Sequence, residues 1–436
     1  MDVTRTTLAF LLVTIVGIKG KEFVTVCYIT SWSLSRPNEA IRYSFKDVDT
    51  SLCSHLVYAF AVLDDVTLEL LPSPGDDTYQ GRAGNYARLN RLKKMRPELT
   101  TLLSVGGQDK AATATFLKLT RKTQWIRKFV RSSIKFLRDR DFDGLDIDWE
   151  YPDAPENAKR QFSSLLQIVY DEFVKEARDT NQKQLLLSIA VSPGEQKIHK
   201  AYEIATISRY VDYIFIMAYD FFGSWSRLTG FNSPLFNRSS DPRFDPIYNV
   251  DYAVKVWLKG GAPRDKLVVG LTGAGSSFTI NPNSTHEVGS DVIAKGKPGD
   301  LFAEESRLIY PEICRNIDAG WKRVFDTEQK VPFAYKGDQW VGYEDPESTV
   351  IKADYIIRNQ LAGIMFWELS FDDFSGKFCH EGKYPLLTAI RKKLSKVKLE
   401  SRPTVDPDFR LLVKGDCFKL TSSVVPLLLS LFVVYL

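Results

Sequence analysis

The chain lacks an excess of one charge, any apolar run of membrane-spanning length, a dense set of cysteines, and an internal repeat. Its 58 Lys and Arg stand against 54 Asp and Glu, a net charge of +4 over 436 residues. So small an imbalance gives no reason to expect a nucleic-acid partner. The longest apolar runs, residues 8–18 and 424–436, fall short of the ~20 residues a spanning helix needs. Pro426 also interrupts the second. No separate cysteine-rich module is evident among the five cysteines, and no period of 20–50 residues recurs. What is present is ordinary globular composition, 44% hydrophobic and 26% charged, enough to bury a large core. The length suits two average domains or one large α/β barrel with insertions.

The two ends read as processing signals. Arg5 precedes the first apolar run, and small or polar residues follow at 17–21, so residues 1–20 read as a signal peptide. A buried first helix is the alternative. Near the other end, Gly415-Asp416-Cys417, a short spacer (418–423) and the apolar tail (424–436) resemble a glycosylphosphatidylinositol attachment signal, following a linker that begins at 399. Membrane attachment would then run through a C-terminal lipid anchor. A retained tail or a soluble secreted product are the alternatives. The expected location is secreted or cell-surface, and a monomer is expected. In that setting Asn237-Arg238-Ser239 and Asn283-Ser284-Thr285 are glycosylation sequons. Five cysteines imply disulfides with one left over, and Cys417 in the processing region is the natural odd one. Spacing alone does not pair Cys27, Cys53, Cys314 and Cys379.

Eight short apolar segments recur between helical patterns. They are FVTVCYIT (23–30), HLVYAFAVL (55–63), TTLLSV (100–105), GLDIDW (144–149), QLLLSIAV (184–191), DYIFIMAY (212–219), KLVVGL (266–271) and GIMFWEL (363–369). Most are nearly continuously apolar, as buried parallel strands are. One intervening helix, 123–138, sets Trp125, Phe129, Ile134 and Leu137 at helical spacing, with Arg and Lys on a solvated outer face. The alternation predicts an α/β fold, a (β/α)8 TIM barrel formed by 21–271 and 363–398. About 90 residues (272–362) separate the last two strands, too many for a structureless loop, so a small α+β insertion is expected there.

Residues 139–150, DRDFDGLDIDWE, fit two patterns. Asp139, Asp141, Asp143, Gly144 and Glu150 satisfy a calcium-loop spacing. That loop needs a helix running on past Glu150, and Pro152 pushes Tyr151 away from helical angles. Leu145, Ile147 and Trp149 alternate with period two, a strand signal. The strand reading faces Asp146, Asp148 and Glu150 into the barrel, with Glu150 at the C-terminal end where barrel active sites are built. Three carboxyls in one apolar file cannot all ionise cheaply, so at least one is expected to hold a proton at neutral pH. A proton held there is what general-acid catalysis needs. A solvated acidic strand end or a salt-bridge cluster is the bland alternative. Neither a metal nor a cofactor is expected.

The segment Asp143-Gly144-Leu145-Asp146-Ile147-Asp148-Trp149-Glu150 resembles the D-G-x-D-x-D-x-E signature of family 18 glycoside hydrolases, the chitinases and chitinase-like lectins. The resemblance spans about residues 22–395. It includes Ser104-Val105-Gly106-Gly107, Met217-Ala218-Tyr219-Asp220, Gly363-Ile364-Met365-Phe366-Trp367 and Asp372-Asp373-Phe374-Ser375-Gly376. In the insertion it includes Tyr310-Pro311-Glu312-Ile313-Cys314 and Gln339-Trp340-Val341-Gly342-Tyr343.

The resemblance implies hydrolysis of β-1,4-linked N-acetylglucosamine oligomers or chitin by substrate-assisted retention. Glu150 would protonate the glycosidic oxygen, and the substrate's own 2-acetamido carbonyl would attack the anomeric carbon. Asp148 would hold the acetamido N–H, Asp146 would share a proton with Asp148, and Tyr219 would orient the acetamido carbonyl. Tyr28, Phe60, Gly107, Met217, Asp220 and Trp367 match positions lining the sugar pocket, and Trp32 and Trp225 match outer platforms. Asp143 reads as structural. The implied disulfides are Cys27–Cys53 and Cys314–Cys379. Four positions depart from the family pattern. Gln108 stands where Trp is usual, Ala274 and Ser276 where Tyr and Arg are usual, and Phe222 where His is common. These changes thin the groove and keep a second reading open, a catalytically weak lectin for GlcNAc-containing glycans, although that kind typically loses the terminal acid.

Overall fold

The computed structural model describes residues 22–397 apart from residue 80. The signal-peptide, linker and tail readings, and Cys417, lie outside the described residues.

Eight strands form the barrel: β1 Val24–Thr30, β2 His55–Leu63, β3 Thr100–Gly107, β4 Gly144–Trp149, β5 Leu186–Val191, β6 Tyr213–Ile216, β7 Leu267–Thr272 and β8 Gly363–Trp367. Each pairs in parallel with the next, and β1 pairs with both β2 and β8, which closes the sheet. Closure removes both sheet edges, so strands buried on both faces need no polar side, which is why they read as apolar runs. Residues of one parity face the helices. Leu145, Ile147 and Trp149 belong to that outer core, where the Trp149 ring stacks on Phe116 at 5.1 Å and meets Phe162 edge-on at 5.8 Å.

The helix expected at 123–138 spans Thr123–Asp139. Its buried face is Ile126, Phe129, Val130, Ser133, Phe136 and Leu137, while Trp125 and Ile134 are only partly covered. On its outer side, Arg127 and Arg131 both reach Glu172 of the next helix, Ala158–Thr180.

Strand limits shift where the ladder ends. The sixth strand stops at Ile216 rather than 219, because Ala218 and Tyr219 donate backbone bonds to Ile216 and Met217, two residues back. The chain bends there, and Tyr219 and Asp220 leave the sheet at the barrel mouth. The third strand runs on to Gly107.

Between β7 and β8 an antiparallel sheet is built from Ala274–Ile280, Val292–Lys295, Arg307–Ile309, Lys322–Asp326, Val331–Lys336 and Gln339–Gly342, with the helix Tyr310–Asp318. Its own apolar cluster centres on Phe231, Phe278, Phe333 and Trp340. The helix Pro346–Arg358 packs against the C-terminal helix Pro385–Leu394. Disulfides join Cys27 to Cys53 and Cys314 to Cys379, with Cα separations of 6.0 and 5.0 Å. Asn237 and Asn283 are exposed.

Candidate active site

The acidic file is layered by strand register. Asp146 is in register with Ser104 on β3 and Ser188 on β5. The Ser104 hydroxyl donates to Asp146 Oδ2 at 2.6 Å and the Ser188 hydroxyl to Oδ1 at 2.7 Å. Tyr28, reaching across from β1, donates to Oδ2 at 2.7 Å. Both oxygens of this fully buried carboxyl are therefore satisfied. Burial pushes its pKa up and the three hydroxyls pull it back.

One layer higher the neighbours are small. Asp148 is in register with Gly106, and Ala190 follows the residue paired with Ile147. A Cβ at Gly106, where φ is +120°, would lie 1.9 Å from the Asp148 carbonyl oxygen, so only glycine fits. Asp148 is 3% exposed, and its Oδ1 has no hydrogen-bond partner among the described residues. Burial first, then the charges of Glu150 and Asp146, push its pKa well above the carboxylate range. An unpartnered buried carboxyl oxygen is costly, and it suits a group awaiting a ligand donor.

Glu150 sits just past β4 at the cavity wall. Burial is the main cause that raises its pKa to about 7; the Asp220 charge adds to the shift and the Tyr151 hydroxyl opposes it. Burial, with the charges of Asp148 and Glu150, also raises Tyr219, so its hydroxyl stays a donor.

These groups line one cavity of about 260 Å³ with Tyr28, Trp32, Phe60, Gly107, Gln108, Met217, Asp220 and Trp367. Tyr28, Trp367, Phe60 and Trp32 form a continuous aromatic wall. Ring centroids are 5.2 Å apart for Tyr28–Trp367, 6.2 Å for Phe60–Trp367 and 6.0 Å for Trp32–Phe60. Gly107, at φ +84°, leaves room for Phe60, whose ring would stand 2.8 Å from a Cβ there. Asp146 lies beneath the cavity. Trp225 does not join it: the side chain is 65% exposed and packs over Gly223. Asp143 is bound to the Thr101 amide at 2.7 Å and to Lys93 at 2.9 Å, away from the cavity.

Three of the departing positions, Gln108, Phe222 and Ser276, are placed as follows. Gln108 lines the cavity. Phe222 points its ring at Phe244 and Tyr248, centroids 5.5 and 6.3 Å away, in the direction of the insertion. The Ser276 hydroxyl donates to the Phe222 carbonyl at 2.6 Å and accepts from Asn232 Nδ2, which also donates to Asp220 Oδ1 at 2.7 Å. Directly opposite Ser276 on the neighbouring strand is Arg307, whose guanidinium lies 3.5 Å from Asp220 Oδ2. An arginine thus enters the cavity from a different strand. Phe302, Glu304 and Phe371 line it too. Sequence reasoning missed these four. Arg307 lies in the charged stretch AEESR, which reads as a loop, and only the pairing across 31 positions brings it to Ser276.

A closed parallel barrel that carries a buried carboxyl file to the floor of an aromatic-walled cavity defines a protein of the glycosidase-barrel class. The family model for glycosyl hydrolases family 18 matches residues 24–372, and the chain belongs to that family. It is 38% identical to chitotriosidase-1 of Mus musculus over 380 residues, 86% of this chain and 79% of that one. The crystal structure of the immunomodulatory active chitinase from Trichuris suis superposes with a TM-score of 0.80 at 33% identity, covering 86% of this chain and all of that one. Human YKL-39, described as a pseudo-chitinase with retained chitooligosaccharide binding, superposes at 0.79 with 34% identity, covering 86% and 100%.

Proposed function

We propose that the protein is an endo-acting, retaining hydrolase of β-1,4-linked N-acetylglucosamine oligomers, acting outside the cell. The observation that carries this reading is the pair Asp148 and Glu150. One is a buried carboxyl with an open oxygen, the other an acid whose pKa of about 7 keeps much of it protonated at neutral pH. Glu150 donates its proton to the glycosidic oxygen. The substrate's acetamido oxygen attacks the anomeric carbon, Tyr219 donates to that oxygen and orients it, and Asp148 accepts the acetamido N–H. Asp146, held by three hydroxyls, fixes the rotation and charge of the file from below. Glu150, now a carboxylate, takes a proton from the water that opens the oxazolinium ring. Trp367 supplies the apolar face under the sugar. Two disulfides fit an oxidising compartment.

The family contains both an active chitinase and a pseudo-chitinase among its solved structures, so a lectin is the second reading. Retention of Glu150 favours the enzyme, while Gln108 and Ser276 favour weak cleavage of long chains. Turnover of a fluorogenic chitooligosaccharide by the protein and by Glu150→Gln separates them. The expected loss is about ten-thousand-fold. Equal turnover by both would sink the enzyme reading, and binding without turnover would establish the lectin.

A further inference from the structure

A second concavity, of about 880 Å³, lies beside the cleft and carries an unbalanced charge. Four cations line it, Arg42, Lys46, Arg88 and Arg91, and no acidic side chain does. All four are exposed. They come from two separated segments, the turn following the short helix Glu39–Ile41 and the helical stretch Asn85–Lys94. Arg42 has one acidic neighbour, Glu39, itself 85% exposed. Arg91 spends one N–H on the Ala87 carbonyl. Lys46 and Arg88 have no ion-pair partner among the described residues. Two acids stand behind the lining: Asp76 accepts from the hydroxyl of Tyr58 and the amide of Asn85, and Asp47 accepts from the amide and hydroxyl of Ser44.

The net charge of +4 is small for this length, so four cations in one hollow, three of them without an ion pair among the described residues, are a local concentration and not a reflection of the whole surface. A hollow of one sign focuses the field and raises the local concentration of counter-charged ligand. Guanidinium groups suit carboxylate and sulfate oxygens because they present paired, planar donors. The remaining lining includes the Ser31 and Ser35 hydroxyls and the Phe45 ring, groups that suit a sugar. Concavity speaks against a flat lipid surface. Ser31 borders this hollow, and its neighbour Trp32 borders the cleft.

We propose that this hollow is a binding site for an anionic saccharide, a uronate-bearing or sulfated glycan, separate from the carboxylate cleft. The site works whether or not Glu150 turns over substrate, so its failure and the failure of the hydrolase reading are distinguishable.

The test is calorimetric titration of the disulfide-intact protein with a hyaluronan hexasaccharide, which offers carboxylates only, and a heparin hexasaccharide, which adds sulfates. The protein should bind at least one of them, and Arg88→Glu/Arg91→Glu should weaken that binding by about tenfold or more. The Glu150→Gln protein should bind equally well. Lys200→Glu/Lys259→Glu makes the same change in net charge at two exposed lysines outside the hollow and should change the affinity less than about twofold. Equal weakening by the two double variants would overturn the proposal in favour of diffuse attraction. Binding of neither hexasaccharide, or binding only of phosphatidylserine vesicles, would also overturn it. The arm that binds more tightly identifies the anionic group.

Discussion

Two of the buried clusters of ionisable side chains among the described residues are built on opposite rules. In the barrel, Asp146, Asp148 and Glu150 share one sign and leave Asp148 Oδ1 without a partner. At the insertion's return to the barrel, Glu344 and Lys352 have opposite signs and are bonded to each other, 2% and 1% exposed. There Ser348 donates to the second Glu344 oxygen at 2.7 Å, and Lys352 Nζ also donates to Ser233 Oγ at 3.0 Å. Burial pushes Glu344 up and Lys352 down, and each partner's charge opposes the shift. One cluster is complete in the folded chain. The other leaves one oxygen without a protein partner, on a residue that lines the cavity. Burial alone therefore does not mark a functional site; here the carboxyl with the open oxygen also lines the cavity.

Removing one member of the complete pair should have the largest effect on folding. Lys352→Met strands a buried carboxyl and should lower stability by about 3–5 kcal/mol, read by chemical denaturation. A loss below about 1 kcal/mol would mean that the pair is not desolvated as described.

In the incomplete cluster the expected effect falls on rate. Asp148→Asn should lower kcat about a hundredfold and leave the melting temperature nearly unchanged, because no protein bond to that side chain is lost. A large drop in melting temperature would place Asp148 in the structural class.

Glu150→Gln should act on stability in a pH-dependent way. The unfolded chain ionises Glu150 near 4.5 and the folded chain near 7. Between those values the folded state binds more protons, so the contribution of this group to stability falls as pH rises through the window. The variant should be more stable than the parent at pH 8, by about 3 kcal/mol, and match it at pH 4. Activity of the parent should fall above about pH 7 as the acid loses its proton.

The smallest effect is expected at the rim. Arg307→Ala removes the cation facing Asp220, whose charge then acts on Glu150 unopposed. KM should rise several-fold and the alkaline limb of the rate profile should move to higher pH. An unmoved limb would show that Arg307 does not act on the acid through Asp220.

Local patterns were legible wherever one strand carried the information. The period-two alternation over 144–150 sorted Leu145, Ile147 and Trp149 from the three acids, because successive strand residues face opposite sides. All eight barrel strands could be read from their apolar runs. The bend after Ile216 could not, since a strand ends where its neighbours cease to pair, and that depends on β5 and β7. The aromatic wall was readable in part. Tyr28, Phe60 and Trp367, read as pocket residues, line one cavity with Trp32, read as an outer platform, while Trp225, the other outer platform, stands outside that cavity on Gly223.

What the amino-acid order determined alone was the barrel, the orientation of the acidic file and the candidate acid, because each follows from periodicity within a few residues. Tertiary structure alone decided which carboxyl is satisfied and which is open. Asp146 and Asp148 have the same side chain two positions apart. They differ because register sets serine hydroxyls beside the first and places Gly106 beside the second. It also decided that Ser276 meets Arg307, a pairing that no local spacing encodes.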